Sequence, residues 1–142
     1  VIAPDANLLI HAYQPGSPFH AASREWLEHT ISSGESLGIP ILSVHAFLRF
    51  MTNAKIQPSP ATFRQAAAIV DSWLKFANVR LLYPGERHWE LMQELAAPLR
   101  LTSAQLTDAA LAAIAIEYGA VIHTHDRDFA RFTGLRWFDP LA

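Results

Sequence analysis

Apolar positions along the chain recur with two periods, one suited to strands and one to helices. Val1-Ile2-Ala3 is a short apolar run ending at Pro4-Asp5, the pattern of a buried first strand. Leu8 to Tyr13 reads as a short helix closed by the turn-rich Gln14-Pro15-Gly16-Ser17-Pro18. From Phe19 to Ser33, Ala22, Trp26, Leu27 and Ile31 form a helical apolar stripe, which Ser32-Ser33-Gly34 breaks. Ile39 to Val44 predicts strand two, and His45 to Asn53 a helix with Phe47, Leu48 and Met51 on its buried side. Gln57-Pro58-Ser59-Pro60 punctuates the chain before a long helix, Ala61 to Phe76, running through Phe63, Ala67, Val70 and Leu74.

Val79 to Tyr83 predicts strand three, stopped by Pro84-Gly85, and Arg87 to Leu95 a further helix. Ala104 to Tyr118 is the most hydrophobic helical stretch, with Gly119 in the helix-stop position. Val121 to Thr124 reads as strand four, Asp128 to Phe132 as a short helical turn, and Leu135 to Phe138 as the last strand. Strands alternate with helices throughout, so the expected fold is α/β, with helices on both faces of a mostly parallel sheet of four to five strands. No linker, repeat or low-complexity segment interrupts the pattern, and one domain over residues 1–142 is expected.

Composition narrows the chemistry. Half of the chain (51%) is hydrophobic and 17% charged, the balance of an ordinary folded protein. The absence of cysteine excludes disulfides and thiolate metal sites, and suits a cytoplasmic setting. The longest apolar run, Ala109 to Ile116, is too short to cross a bilayer, so no membrane association is expected. Val1-Ile2-Ala3 lacks the basic leader of a signal peptide. The net charge is −2 and no basic stripe advertises nucleic-acid binding. No glycine-rich phosphate loop is present either.

The carboxylates then become the informative residues. In open α/β sheets, ligands collect beyond the carboxyl ends of the strands. Asp5 falls just past strand one, Asp126 just past strand four, and Asp108 in the first turns of the helix leading into strand four. Gathered at one edge, they would raise one another's pKa values, a conflict that a divalent cation removes. Hard oxygen ligands select Mg²⁺ or Mn²⁺, and phosphodiester hydrolysis is the chemistry that such a site supports without cysteine or histidine. The alternative on spacing alone is that these aspartates cap helices.

Three stretches resemble the PIN-domain nucleases: Pro4-Asp5-Ala6-Asn7-Leu8-Leu9-Ile10, Thr107-Asp108-Ala109-Ala110-Leu111-Ala112-Ala113 and Thr124-His125-Asp126-Arg127-Asp128-Phe129. Phe47-Leu48-Arg49…Thr52-Asn53, Val79-Arg80-Leu81-Leu82, His88-Trp89-Glu90 and Phe129-Ala130-Arg131-Phe132…Gly134-Leu135-Arg136-Trp137 resemble one subgroup, the VapC toxins of type II toxin–antitoxin systems. The resemblance spans essentially the whole chain. It implies a PIN-like α/β/α sandwich and a Mg²⁺- or Mn²⁺-dependent ribonuclease acting on tRNA or ribosomal RNA. A homodimer and a VapB-type antitoxin that covers the active site are implied as well. By position, Asp5, Asp108 and Asp126 become the catalytic, metal-binding carboxylates, and Asp128 a supporting or second-metal carboxylate. Asn7 orients Asp5 by hydrogen bonding or, read from the residues, caps the helix at Leu8. Asp128 has the same capping alternative before Phe129. Arg49 contacts RNA or antitoxin, or else pins Asp5 or a neighbouring helix.

The sequence departs from the family where many PIN nucleases carry a glutamate two residues before a Leu-Arg pair. Ala46 stands there, which leaves open a second metal position and, beside catalysis, a PIN-fold binding protein that cuts poorly. His45 reads as a surface or packing residue, with a stand-in ligand role as the alternative. His123 and His125 alternate along strand four as a zinc pair would, but no third ligand is at hand. Trp26, Trp73, Trp89 and Trp137 lie in apolar-periodic segments and are expected in the core or a dimer interface. Glu90 and Glu94, one helical turn apart, read as a solvated face.

Overall fold

The computed structural model describes residues 1–142. In chain order the elements are β1 (Ile2–Pro4), α1 (Ala6–Ala12), α2 (His20–Ser32), β2 (Leu37–Pro40), α3 (Ile41–Met51) and α4 (Phe63–Leu74). Then follow β3 (Val79–Leu82), α5 (His88–Ala96), α6 (Ala104–Glu117), β4 (Val121–His123), a 3-10 turn (Arg127–Arg131) and β5 (Arg136–Phe138). All five strands are parallel, in the order β3-β2-β1-β4-β5. The chain thus builds outward from β1 to β3, then returns to lay β4 on the other side of β1. That reversal opens a crevice at the carboxyl ends of β1 and β4.

Successive strand residues face opposite layers, and the two faces are filled differently. Leu37, Ile39 and Val79 pack against Leu9, Leu27, Phe47, Val70 and Trp73 of α1–α4. Ala3, Leu82 and Ile122 pack against α5 and α6, where Ala109, Ala112, Ala113 and Ala115 let the helix lie close to the sheet. The result is the expected α/β/α sandwich. Gly38 leaves room for the Leu82 side chain of neighbouring β3, from which a Cβ would sit 2.7 Å. No helix is long and apolar enough to cross a membrane.

Three expectations are corrected. The run Ile39–Val44 is not one strand: β2 ends at Pro40 and α3 begins at Ile41. A run apolar at every position but Ser43 carries too little period to separate strand from helix. Here Pro40, with φ of −58°, turns the chain into the helix, and the Ser43 hydroxyl donates to the Pro4 carbonyl at 2.8 Å, docking α3 beside the end of β1. On α4, Phe63 is 68% exposed, and the buried stripe is Ala66, Val70 and Trp73. Trp73 sets that rotation by packing edge-on to Phe47 and donating its indole N–H to the Tyr13 hydroxyl at 2.9 Å. On α2, Ala22 is exposed, while Ser23, Leu27 and Thr30 face inward. Among the tryptophans, Trp73 is core and Trp26 and Trp137 are half-buried. Trp89 lies on the surface at 69% exposure.

Candidate active site

Asp5 is the residue where β1 becomes α1. Its backbone N–H donates to the His123 carbonyl at 2.9 Å, extending the pairing with β4 by one step. It occupies the N-cap position of α1 with extended backbone, yet its carboxylate closes no capping hydrogen bond. Instead Oδ2 accepts the Thr124 hydroxyl at 2.8 Å. The side chain is almost fully buried at 9% exposure. Burial is the main reason its pKa is pushed up to about 6. The Thr124 and Ala6 hydrogen bonds oppose that rise, and the charges of Asp108 and Asp126 add to it.

Thr124 joins two of the acidic positions. Its fully buried hydroxyl, while donating to Asp5, accepts the Asp126 N–H at 2.9 Å. Asp126 follows β4 and caps the 3-10 turn, its Oδ1 accepting the Asp128 N–H at 2.9 Å. Asp108 reaches the same crevice from the second turn of α6. Its pKa is raised, first by burial and then by Asp126, with Arg131 pulling the other way and Asp128 adding to the rise. Arg131 donates Nη2–H to Asp108 Oδ2 at 3.3 Å.

Asp5, Asp108 and Asp126 therefore line one cleft of about 270 Å³, together with Asn7, Ser43, Ala46 and Arg49. Leu42, Ala46 and Arg49 form its α3 wall at helical spacing. No three carboxylate or imidazole groups close around a single point. The carboxylates facing the cleft offer oxygen donors, and only Asp108 of the three meets a cation of the chain, Arg131 at 3.3 Å. This set fits a hard divalent cation that retains several waters.

The remaining candidates fall on and around this cleft. Asp128 is exposed and outside the lining, and its charge reaches Asp108. Asn7 lies inside α1 rather than at its cap, is exposed, and makes no hydrogen bond to Asp5; Thr124 does that orienting. Arg49 forms no ion pair within the chain and faces the cleft. His45 lines the neighbouring groove with Arg49 and Phe63. Thr124 and Arg131 are the residues that sequence reasoning passed over. Both stand close to Asp126 in the chain, where spacing gives no sign that a hydroxyl or a guanidinium turns toward the aspartates.

The PIN domain family matches residues 2–135. Ribonuclease VapC33 of Mycobacterium tuberculosis is 40% identical over 141 residues, 99% of each chain. Ribonuclease VapC43 of the same organism is 36% identical over 99% of this chain and 96% of its own. Among solved structures, VapBC-1 from nontypeable Haemophilus influenzae superposes with a TM-score of 0.72 at 18% identity, over 99% of this chain and 98% of that one. VapBC from Salmonella typhimurium superposes with a TM-score of 0.70 at 17% identity, over 98% and 97%. These two show the same fold. The parallel sheet with its acidic crevice, the family match and the full-length identity converge, and the chain belongs to the VapC-type PIN-domain proteins.

Proposed function

We propose that this protein is a Mg²⁺- or Mn²⁺-dependent endoribonuclease, the toxin of a VapBC-type pair, with Asp5, Asp108 and Asp126 as the metal-holding catalytic carboxylates. The observation that carries the reading is Asp5, a carboxylate buried at the sheet's switch point and pushed up to about 6 beside two further carboxylates. A stable fold has no need of that arrangement, and a bound cation relieves it. Relatives named ribonucleases over the full length support the same chemistry.

When bound, a divalent cation supplies a water of lowered pKa and charge neutralisation at the phosphodiester. The chain's own residues then have separable tasks. Thr124 holds Asp5 and Asp126 in fixed relation through one hydroxyl. Arg131 steadies Asp108. Asp128 adds negative charge from outside the cleft, and Arg49 offers an unpaired guanidinium to RNA phosphate. A tRNA or ribosomal RNA is the proposed substrate. A VapB-type antitoxin and a second copy of the chain are the proposed partners; the exposed Trp89, Leu99 and Leu106 support a protein contact on the α5–α6 side.

The test is incubation of antitoxin-free protein with total bacterial RNA in Mg²⁺, Mn²⁺ or EDTA, beside Asp5→Asn. Discrete fragments that require both metal and Asp5 are expected. A second reading, a PIN-fold RNA- or partner-binding protein with little turnover, is favoured by Ala46 in the α3 wall. Tight RNA binding with intact RNA at saturating Mn²⁺ would establish it.

A further inference from the structure

Helix α3 is a ridge with a different hollow on each flank. One flank carries Leu42, Ala46 and Arg49 into the carboxylate cleft. The other carries His45, Leu48, Arg49 and Thr52 into a groove of about 450 Å³, which Phe63 at the start of α4 completes. Helical spacing puts Arg49 between the two sets, where the hollows meet. Its guanidinium is exposed and makes no ion pair within the chain.

Phe63 gains little from folding, yet its backbone is held firmly. The ring is exposed, while the stripe that α4 buries is Ala66, Val70 and Trp73. A capping box fixes the turn that carries it: the Thr62 hydroxyl accepts the Gln65 N–H at 3.1 Å, and the Gln65 side-chain oxygen accepts the Thr62 N–H at 2.9 Å. The loop before it is tied back to the end of α3, with the Ala61 N–H donating to the Met51 carbonyl at 2.9 Å. A single exposed aromatic is ordinary on a protein surface. What sets this one apart is its surroundings.

The charge there has one sign. Between Glu35 and Asp71 the chain has no carboxylate, whereas Arg49, Lys55 and Arg64 all lie exposed in that stretch. The whole chain carries −2, and the stretch that supplies every residue of the groove is a local exception. Such a surface suits a polyanion. The apolar area selects the same partner. Leu48 and Phe63 are the groove's apolar lining, too few for the row of anchors by which an amphipathic helix docks. One nucleobase needs only one aromatic face.

We propose that Phe63 is the stacking platform for one nucleobase of an RNA strand whose adjoining phosphate Arg49 holds at the mouth of the carboxylate cleft. This inference rests on the ribonuclease reading above and gives the strand a route, over α3 and into the cleft. A base stacked on a ring of fixed backbone sets the register of the strand against the carboxylates. Every base has a π-face, so the contact contributes affinity and position rather than sequence choice. Arg49 acts through charge and is sensitive to salt, whereas the stack is not.

The test is a cycle between the ring and the base, run on Asp5→Asn protein so that the strand is held without being cut. Fluorescence anisotropy compares oligo(A) with an RNA strand of the same length whose bases have been removed. Adding Phe63→Ala should weaken oligo(A) binding about tenfold and leave the abasic strand's affinity unchanged. Phe63→Trp should keep the affinity, with its added indole emission quenched by oligo(A) and not by the abasic strand. Phe63→Leu, apolar but without a ring, should behave as Phe63→Ala. The salt slope should stay at the parent value in the Phe63 variants and fall by about one in Arg49→Gln. Equal losses on both strands would overturn the proposal. So would a Phe63→Leu protein as good as its parent, the mark of an apolar peptide contact. Unchanged oligo(A) affinity with a shift of oligomeric state in light scattering would assign the ring to a second copy instead. Failure of the nuclease reading is seen separately, in the protein with Asp5 intact. Phe63-dependent binding of oligo(A) without cleavage of any RNA keeps the stack and removes the nuclease. Cleavage with oligo(A) held equally well by Phe63→Ala keeps the nuclease and removes the stack, and RNA neither held nor cut removes both.

Discussion

The two ends of the parallel sheet are built by opposite rules. At the amino ends, polar groups are paired among themselves. Asn78, just before β3, donates its side-chain amide to the carbonyls of Ile31 and Glu35, both at 2.9 Å, and its own carbonyl accepts the Leu37 N–H at 2.8 Å. One residue thus ties the end of α2, the approach to β2 and the start of β3. At the carboxyl ends, three carboxylates face one cleft and two of them have raised pKa values. The first edge contributes stability, whereas the second holds like charges together at a cost to stability. The difference is the one expected if the carboxyl edge is the functional one, because a bound cation would relieve the conflict that this edge carries.

The sharpest way to break the comparison is Asp5→Asn. Metal-dependent RNA cleavage should fall by about a thousandfold, the scale of removing a group that offsets transition-state charge. Thermal stability at pH 7.5 in EDTA should rise in the same variant. A variant that loses both activity and stability would make Asp5 a structural residue and collapse the contrast.

The pH dependence follows from the same side chain. Its pKa lies at about 6 in the folded protein against 3.8 ordinarily, so folding favours the protonated form. The stability this group contributes is complete below about pH 4 and is lost as pH rises through about 6, a loss of about 3 kcal/mol at most. Urea unfolding in EDTA should therefore show a midpoint falling across that window. Asp5→Asn should remove this component, and Mn²⁺ should raise the midpoint more at pH 7 than at pH 5. An identical profile in the variant would rule Asp5 out as its source.

Asn78→Ala is the mirror experiment at the other edge. Losing two side-chain hydrogen bonds should cost about 2 kcal/mol, read as a lower urea midpoint. Cleavage at 25 °C should remain at the wild-type rate. A loss of activity at constant stability would show that the two edges are coupled.

Much of this contrast is legible in the sequence, and the exceptions have physical causes. Asp5, Asp108 and Asp126 stand out in the sequence because charge beside apolar runs is expensive, and the fold brings all three to one cleft. The strand–helix order follows from apolar period together with the proline and glycine punctuation between elements. The expected strand two runs too far because Ile39 to Val44 is apolar at every position but Ser43, and Pro40 and the Ser43 hydrogen bond to Pro4 decide where the helix starts. For Asn7 the sequence leaves an orienting and a capping role open; the residue lies inside α1, and the hydroxyl that reaches Asp5 is that of Thr124. Thr124 lies 119 positions from Asp5 in the chain, and strand neighbours at that separation leave no trace in local spacing. Phe63 is expected inside by periodicity, but a stripe offset by one residue puts its ring in water.

Ala46→Glu sharpens the comparison by loading the carboxyl edge further. Ala46 sits half-buried in the α3 wall, between Leu42 and Arg49, facing the cleft that the aspartates line. A fourth carboxylate there adds repulsion when no cation is bound and another hard oxygen ligand when one is. The metal-free protein should therefore lose about 1 kcal/mol of stability at pH 7.5. The Mn²⁺ concentration giving half-maximal cleavage should drop by about tenfold, equivalent to about 1.4 kcal/mol of binding. If the three aspartates suffice for cleavage, the rate at saturating Mn²⁺ should change only a few-fold. A rate increase of a hundredfold or more would mean that alanine at this position had disabled the site, and the binding-protein reading would then describe the natural chain. Direct titration with Mn²⁺, followed by its electron paramagnetic resonance signal, separates the two cases, because tighter metal binding without a faster saturated rate can arise only if the native cleft is already competent.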